Sequence, residues 1–133
     1  MFGALDISTS GLVAQRVQID TIAGNIANAQ TTRRLDGKPG PFLRRVALLA
    51  AGDGSGGAGV RVQSVVEDTQ SPVRKVKDAG HPDADKNGIV AYPNIDMMTE
   101  MVNAMVAVRA YEANITAMEA TKSILASSLR MLA

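Results

Sequence analysis

The chain has 133 residues, a formal net charge of +1, 46% hydrophobic residues and only 3% aromatic residues, which predicts one folded domain with few aromatic side chains in its core. It contains no cysteine, so a disulfide framework, a thiolate metal site and a thiol nucleophile are excluded. No window approaches the roughly eighteen consecutive apolar residues of a membrane span, and the N-terminus lacks the basic and apolar regions of a cleaved signal peptide. We therefore expect neither a membrane span nor a cleaved signal peptide.

Helix-breaking residues divide the chain into three parts. All five prolines lie between Pro39 and Pro93, and nine of the twelve glycines lie between Gly37 and Gly88. The predicted fold class is α+β, with long N- and C-terminal helices that form a coiled-coil-like pair and a small β-rich module inserted between them. The expected domains are an N-terminal helix (1–32), a β-rich middle module with loops (33–94) and a long C-terminal helix (95–133).

The N-terminal segment, about residues 5–30, is predicted to be a helix with one apolar seam. Its apolar and polar residues at heptad positions are Leu5, Ser8, Leu12, Gln15, Ile19, Ile22, Ile26 and Ala29. Gly11 and Gly24 weaken this helix by about 1 kcal/mol each. It therefore needs a partner, and the C-terminal helix is the obvious one.

The middle segment is predicted to form short strands at about residues 44–49, 60–66 and 73–76, separated by turns. Residues 52–57 match the G-x-G-x-x-G pattern of dinucleotide sites. A strand pattern follows them, whereas a dinucleotide site needs a helix at that point. We interpret this stretch as a hairpin loop.

The C-terminal segment, residues 95–133, contains neither proline nor glycine and predicts one long helix that begins after Pro93, with Asn94 or Asp96 as its N-cap. Its apolar residues recur every three or four positions, with an interruption at Thr121, and are Met98, Met101, Met105, Val108, Tyr111, Ile115, Met118, Leu125, Leu129 and Leu132. A second stripe of small residues comprises Ala104, Ala107, Ala110, Ala113, Ala117 and Ala120.

Such stripes in general are most often those of an ordinary buried core helix. A core built from 133 residues cannot easily cover so long an apolar helix, so we expect its seam and that of the first helix to lie at contacts between subunits. The predicted subunit interface consists of Leu12, Ile19, Ile22, Ile26, Met98, Met101, Met105, Val108, Tyr111, Ile115, Met118, Leu125 and Leu129.

Three other patterns in the middle segment could carry chemistry. Residues 83–88 spell the first half of a calcium loop, but Asn94 stands where a glutamate is needed, so Asx turns are favoured and ion binding stays open. His81 is the only histidine and no nucleophile motif accompanies it, so we predict a turn residue, no cofactor and no enzyme. The basic doublets at residues 33–34 and 44–45 lie among acidic residues and lack stacking aromatics, so nucleic acid is not the expected partner.

Several motifs resemble the family of bacterial flagellar rod and hook axial proteins. The N-terminal signature is S-G-L-x-A-Q at residues 10–15, N-I-A-N at 25–28 and the threonines at 31–32. G-H-P-D-A-D at 80–85, G-x-V-x-Y-P-N at 88–94 and R-A-Y-E-A-N at 109–114 are similar to a rod member of that family. Gly24 and residues 29–30 depart from the family pattern. The residues that carry the resemblance are Asn25, Asn28, His81, Pro82, Asp83, Asp85, Pro93, Asn94, Arg109, Tyr111, Glu112 and Asn114.

The resemblance implies a structural subunit of the proximal rod of the flagellar basal body. Such a subunit would leave the cell unfolded through the flagellar type III export apparatus, without a cleaved signal peptide, and assemble in the periplasmic space. It would join copies of itself and other rod proteins in a drive shaft that transmits torque and encloses the export channel, with the terminal helices inside and the middle segment outside. From the residues alone, a soluble helical adaptor or regulator that binds one partner helix is the alternative.

Overall fold

The computed structural model describes residues 2–133, and side chains from residue 3 onward. The elements in chain order are α1 (Phe2–Ala27), β1 (Arg45–Ala51), β2 (Val60–Glu67), β3 (Arg74–Lys77), β4 (Ile89–Tyr92) and α2 (Met97–Leu132). The predicted α+β class, with a helix at each end and short strands between them, is confirmed. None of the helices within residues 2–133 is long and apolar enough to cross a membrane.

The two helices lie side by side and antiparallel. Near the end of α1, Asn25 contacts Glu100 in the first turn of α2, and Gly11 lies against Asn114 further along. With 26 and 36 residues, the helices are about 39 and 54 Å long at about 1.5 Å per residue. The C-terminal end of α2 therefore extends beyond α1, and its large apolar side chains Ile124, Leu129, Met131 and Leu132 are exposed.

The side of α2 that faces α1 differs along its length. In the first half, the covered residues include Ala104, Ala107 and Ala110, whereas Met105, with 68% of its surface accessible, points away. Small side chains allow the two backbones to approach closely, so the alanine stripe pairs the helices here. The expected continuous methionine seam faces the partner helix only in the second half, from Tyr111 onward.

Side-chain hydrogen bonds mark the start of α2 and the end of α1, which lie at the same end of the helical pair. Asp96 is the N-cap of α2 and accepts hydrogen bonds from the Met98 amide (3.2 Å) and the Thr99 hydroxyl (2.6 Å). At the end of α1, the Asn28 side-chain amide donates to the Gly24 carbonyl at 2.8 Å. The Asn28 backbone amide donates to the same carbonyl at 3.1 Å, and α1 ends at Ala27, three residues before the predicted end at residue 30.

The middle segment forms two separate antiparallel hairpins, where the sequence predicted one small β unit. In the first hairpin, β1 pairs with β2 so that Arg45 lies opposite Glu67, and a bulge follows Leu48. The second hairpin pairs β3 with β4, placing Arg74 opposite Tyr92. The first three strands were predicted to within two residues, whereas β4 was not predicted.

The loop between β1 and β2 confirms the interpretation of the glycine-rich motif. The φ angles of Gly52, Gly54 and Gly56 are 76°, 92° and 96°, a region that favours glycine, and β2 follows them directly. The hairpin rests on α1, where the Ser10 hydroxyl accepts a hydrogen bond from the Val60 amide at 3.1 Å.

Candidate interaction site: a buried polar junction and an exposed apolar face

A buried asparagine joins the first helix to the first strand. Asn25 accepts a hydrogen bond from the Arg45 amide (2.9 Å) and donates one to the Arg45 carbonyl (2.8 Å). Its side chain thus satisfies both backbone groups of Arg45, as a neighbouring strand would. The contact fixes where β1 begins relative to the end of α1.

The same asparagine also contacts a buried glutamate of α2. Glu100 has a fully buried side chain; one carboxylate oxygen accepts from the Asn25 amide at 3.1 Å and the other from Arg44 Nε at 2.5 Å. The Arg44 side chain is 26% exposed. A charge this deeply buried requires such partners, and here they come from α1 and from the residue before β1. The residues Asn25, Arg44, Arg45 and Glu100 form what we call the polar junction.

Asn94 extends this junction to the end of the first hairpin. Its side-chain oxygen accepts from the Arg44 amide at 2.8 Å, and its amide donates to the carbonyls of Asp68 (2.9 Å) and Ser71 (3.2 Å). Pro93, beside it, is buried. Asn94 therefore links two loops. The sequence predicted either Asn94 or Asp96 as the N-cap of α2, and the N-cap is Asp96.

The H-P-D-A-D block folds into a turn that is tied to the loop after α1. The Thr32 hydroxyl (2.8 Å) and the Arg33 guanidinium donate to the Asp83 carboxylate. Both hydrogen bonds lower the pKa of that carboxyl below its usual range, and the one from Arg33 has the larger effect. His81 Nδ1 accepts from the Asp83 amide at 3.0 Å, and its ring meets the edge of Tyr92 with centroids 6.2 Å apart. The proline at position 82 is exposed in this turn.

The calcium-like residues 83–88 are held by hydrogen bonds within the chain. Asp85 accepts from the amides of Asn87 (2.8 Å) and Ile89 (2.9 Å), which is the Asx-turn geometry the sequence favoured. Across residues 2–133, no cluster of three or more histidine and acidic side chains is arranged to hold a metal ion.

Two motifs from opposite ends of the chain meet where the helices cross. A Cβ atom added to Gly11 would lie 2.8 Å from the Asn114 side-chain nitrogen, so only glycine fits there without a shift. Gly11 belongs to the S-G-L motif and Asn114 to R-A-Y-E-A-N. Arg109 and Glu112 of the second motif instead form an exposed ion pair of 2.9 Å on the opposite side of α2.

The first half of α2 also presents an apolar face that the described residues leave uncovered. It comprises the exposed side chains Met98, Met101, Val102, Met105, Val106 and Val108, which we call the outer face. Among soluble proteins, a contiguous patch of this kind marks an interaction surface.

The structure divides the predicted interface residues into two groups. Those partly covered within the chain are Leu12, Ile19, Ile22, Ile26, Tyr111, Ile115, Met118 and Leu125. Those exposed are Met98, Met101, Met105, Val108 and Leu129.

Sequence reasoning missed the roles of Glu100 and Arg44. Glu100 was noted only for its place near the start of the helix, and Arg44 only as half of a basic doublet. One signal could have identified the glutamate, because Glu100 precedes Ala104 and Ala107 by four and seven residues and so lies on the alanine stripe. An acidic residue on a stripe that packs against another helix requires a buried partner.

Comparison with known proteins defines the class to which this fold and these motifs belong. The family described as "Flagella basal body rod protein" matches residues 5–33, and the family described as "Flagellar basal body rod FlgEFG protein C-terminal" matches residues 86–131. Both ends of the chain are thus those of flagellar rod proteins.

Relatives that match nearly the whole chain narrow this class to one family of rod proteins. The flagellar basal-body rod proteins FlgC of Bacillus subtilis and Salmonella typhimurium are each 38% identical to the chain, over 98% of it and 97% of the relative. FlgC of Aquifex aeolicus is 40% identical over 93% of the chain and 91% of the relative. The chain belongs to the FlgC family of flagellar basal-body rod proteins, and the predicted role as a structural rod subunit is confirmed.

Proposed function

We propose that this rod subunit builds the proximal part of the rod, where it packs against copies of itself and against other rod proteins. The resulting shaft transmits torque and encloses the export channel. The observation that carries the proposal is the outer face of α2, whose large apolar side chains the chain's own residues leave exposed. Apolar surface of this extent gains free energy when another subunit covers it.

In this proposal, the terminal helices (1–32 and 95–133) form the inner part of the shaft, and the β-rich middle module (33–94) lies outside and sets the register between neighbours. The exposed members of the predicted interface contact other subunits directly. The partly covered members hold α1 and α2 together and shape the surface that they share. The role is mechanical, with no catalytic residue and no cofactor.

We further propose that the chain reaches the periplasmic space through the flagellar type III export apparatus without a cleaved signal peptide. Membership of a basal-body rod family supports this route. The small core also suits such export, because little buried apolar surface must be exposed when the chain unfolds.

The test is Met105→Asp in the chromosomal copy, scored by swimming and by the amount of the chain in purified basal bodies. Met105 is largely exposed, so the fold should persist, while a charge within an apolar contact between subunits is costly. We expect loss of swimming and loss of the chain from basal bodies. The matched control, Met105→Leu, should leave both unchanged.

Normal swimming of the Met105→Asp strain would contradict this use of the outer face. A small defined complex with one partner, in place of incorporation into basal bodies, would instead support the adaptor alternative.

A further inference from the structure

A cleft lies between β1 and α2, with α1 as its floor. It has a volume of about 260 Å³, and its lining includes Gln15 and Gln18 of α1, Val46 and Ala47 of β1, and Asn103 and Val106 of α2. No Cα atom of β1 (Arg45–Ala51) lies within 8 Å of a Cα atom of α2 (Met97–Leu132), so strand and helix are apart along the cleft. The polar junction closes one end, where Arg44 binds Glu100.

The wall formed by β1 is the free edge of a strand, because β1 belongs to a two-stranded sheet with β2. Residues of an antiparallel strand alternate between those whose backbone groups bond to the partner strand and those whose groups point away from it. The Arg44 carbonyl accepts from the Asp68 amide, just after β2, at 2.8 Å, whereas both backbone groups of Arg45 bond to the Asn25 side chain. The amide and carbonyl of Ala47, two residues further on, therefore point away from β2 on the side of the cleft.

The floor of the cleft contains a hydrogen-bond acceptor that the described residues leave unsatisfied. Gln15 Oε1 is buried and has no donor among them. A buried acceptor without a donor is unfavourable, and a donor from another molecule would remove this cost. Gln18 and Asn103 add two further carboxamides, each with donors and acceptors. Together with the edge at Ala47, these groups complement a peptide backbone, which also has an N–H and a C=O in every residue.

The charges of the lining select the kind of strand that fits. Of the described residues that line the cleft, only Arg44 is charged. In a second copy, β1 (R-V-A-L-L-A-A) and β3 (R-K-V-K) both begin with arginine and would bring like charge to Arg44. The other two strands of a second copy are engaged within their own chain, β2 through the bond from Val60 to Ser10 and β4 through the fully buried Val90. A strand without cationic side chains, from another protein, fits the cleft.

We propose that an extended segment of a different rod protein, with small and uncharged side chains, enters this cleft and pairs with β1 at Ala47. One of its backbone amides donates to Gln15 Oε1. The inference rests on the proposed function, in which the chain packs against other rod proteins. The Asn25 side chain occupies the edge position at Arg45, so the added strand begins beyond it. In β-augmentation of this kind, main-chain hydrogen bonds supply the affinity.

Gln15→Leu separates assembly from stability. Leucine removes the unsatisfied acceptor, so the urea midpoint of the isolated chain should stay the same or rise. Recovery of the variant in purified basal bodies should fall about fivefold or more, because a hydrogen bond between subunits is lost. The matched control is Gln63→Leu, at an exposed position of β2 outside the cleft, which should leave recovery unchanged. Normal recovery of Gln15→Leu, or a lower urea midpoint that accounts for its loss, would overturn the proposal.

Ala47→Pro tests the strand edge. Proline removes the amide hydrogen that points away from β2 and keeps those that pair with it, a position at which edge strands tolerate proline. Recovery in basal bodies should fall about tenfold, whereas Ala47→Ser, which keeps the amide, should change it less than about twofold. Equal recovery of the two variants would contradict pairing at this edge.

Photo-crosslinking identifies the segment in the cleft. With p-benzoylphenylalanine in place of Asn103, irradiation of purified basal bodies should link the chain to a different rod protein, and mass spectrometry should place the link in a segment without lysine or arginine. A link to a second copy, or incorporation of the variant without any link, would overturn the proposal. For variants that do not fold or assemble, the Gln15→Leu result decides. Absence of the unmodified chain from basal bodies would instead contradict the proposed function.

Discussion

Glu100 joins three parts of the chain that are far apart in sequence. It lies 75 residues from Asn25 and 56 from Arg44, yet contacts both through one carboxylate. Buried ion pairs add little net stability relative to apolar side chains, but removal of one partner leaves the other charge without compensation. The geometry of the helix pair and the first hairpin therefore depends on this side chain.

We expect Glu100→Gln to lower the free energy of unfolding by about 3 kcal/mol, the lower end of the cost of breaking a buried pair, because Arg44 can turn toward solvent. Denaturant unfolding of the purified chain measures this change. The matched control is Glu112→Gln, which breaks an exposed pair and should cost less than about 1 kcal/mol. Equal effects of the two substitutions would show that the polar junction adds no stability beyond that of a surface pair.

The helix α2 has two sides that differ in exposure. Ala104, Ala107, Ala110 and the half-buried Ile115 lie on the side that faces α1, and Met105 lies on the outer face. Aspartate at position 115 and aspartate at position 105 should thus have different effects on the stability of the isolated chain, although the sequence pattern places both positions in one seam.

Ile115→Asp should lower the free energy of unfolding by at least about 2 kcal/mol, because it removes apolar contact with α1 and places a charge there. Met105→Asp should change it by less than about 0.5 kcal/mol, as at other exposed positions. Urea unfolding of both purified variants tests the division. A large loss of stability in Met105→Asp would show that the outer face is covered within the chain.

As a single molecule, the chain has a small apolar interior and many hydrogen-bonded surface aspartates. The buried hydrophobic residues among the described side chains are Ala14, Ala29, Val90 and Ala107. Much of the remaining organisation comes from polar contacts in loops. A subunit of this kind gains stability from its neighbours, since any partner that binds the folded state shifts the folding equilibrium toward it.

These aspartates predict that the isolated chain loses stability in acid. Their pKa values lie below the ordinary 3.8 because the carboxylates accept hydrogen bonds. The donor with the largest effect is Arg34 for Asp36, Ser55 for Asp53, Ser71 for Asp68, Arg33 for Asp83 and Thr99 for Asp96. A lowered folded-state pKa contributes stability that is present above the unfolded-state value of 3.8 and is lost as the pH falls toward the folded-state value.

The urea midpoint should therefore be lower at pH 3 than at pH 7. The variant Asp83→Asn, which cannot titrate at that position, should show a smaller difference between the two pH values. A midpoint at pH 3 equal to or above that at pH 7 would contradict the prediction.

Local patterns along the chain were enough to predict both helices, three of the four strands, the hairpin loop at residues 52–57 and the family motifs. Each depends on residues that are neighbours in sequence: helix breakers concentrated in the middle, apolar spacing of three or four, and glycines where φ is positive. The start of α2 followed from Pro93 and Asp96 for the same reason.

The polar junction and the choice of which side of α2 meets α1 required the folded chain. Asn25, Arg44 and Glu100 are adjacent only after the two ends of the chain have come together, and nothing local marks them as partners. Likewise, methionine and alanine stripes both have helical spacing. In the first half of α2, Ala104, Ala107 and Ala110 face α1 and Met105 points away, so the position of α1 on α2 decides which stripe is covered.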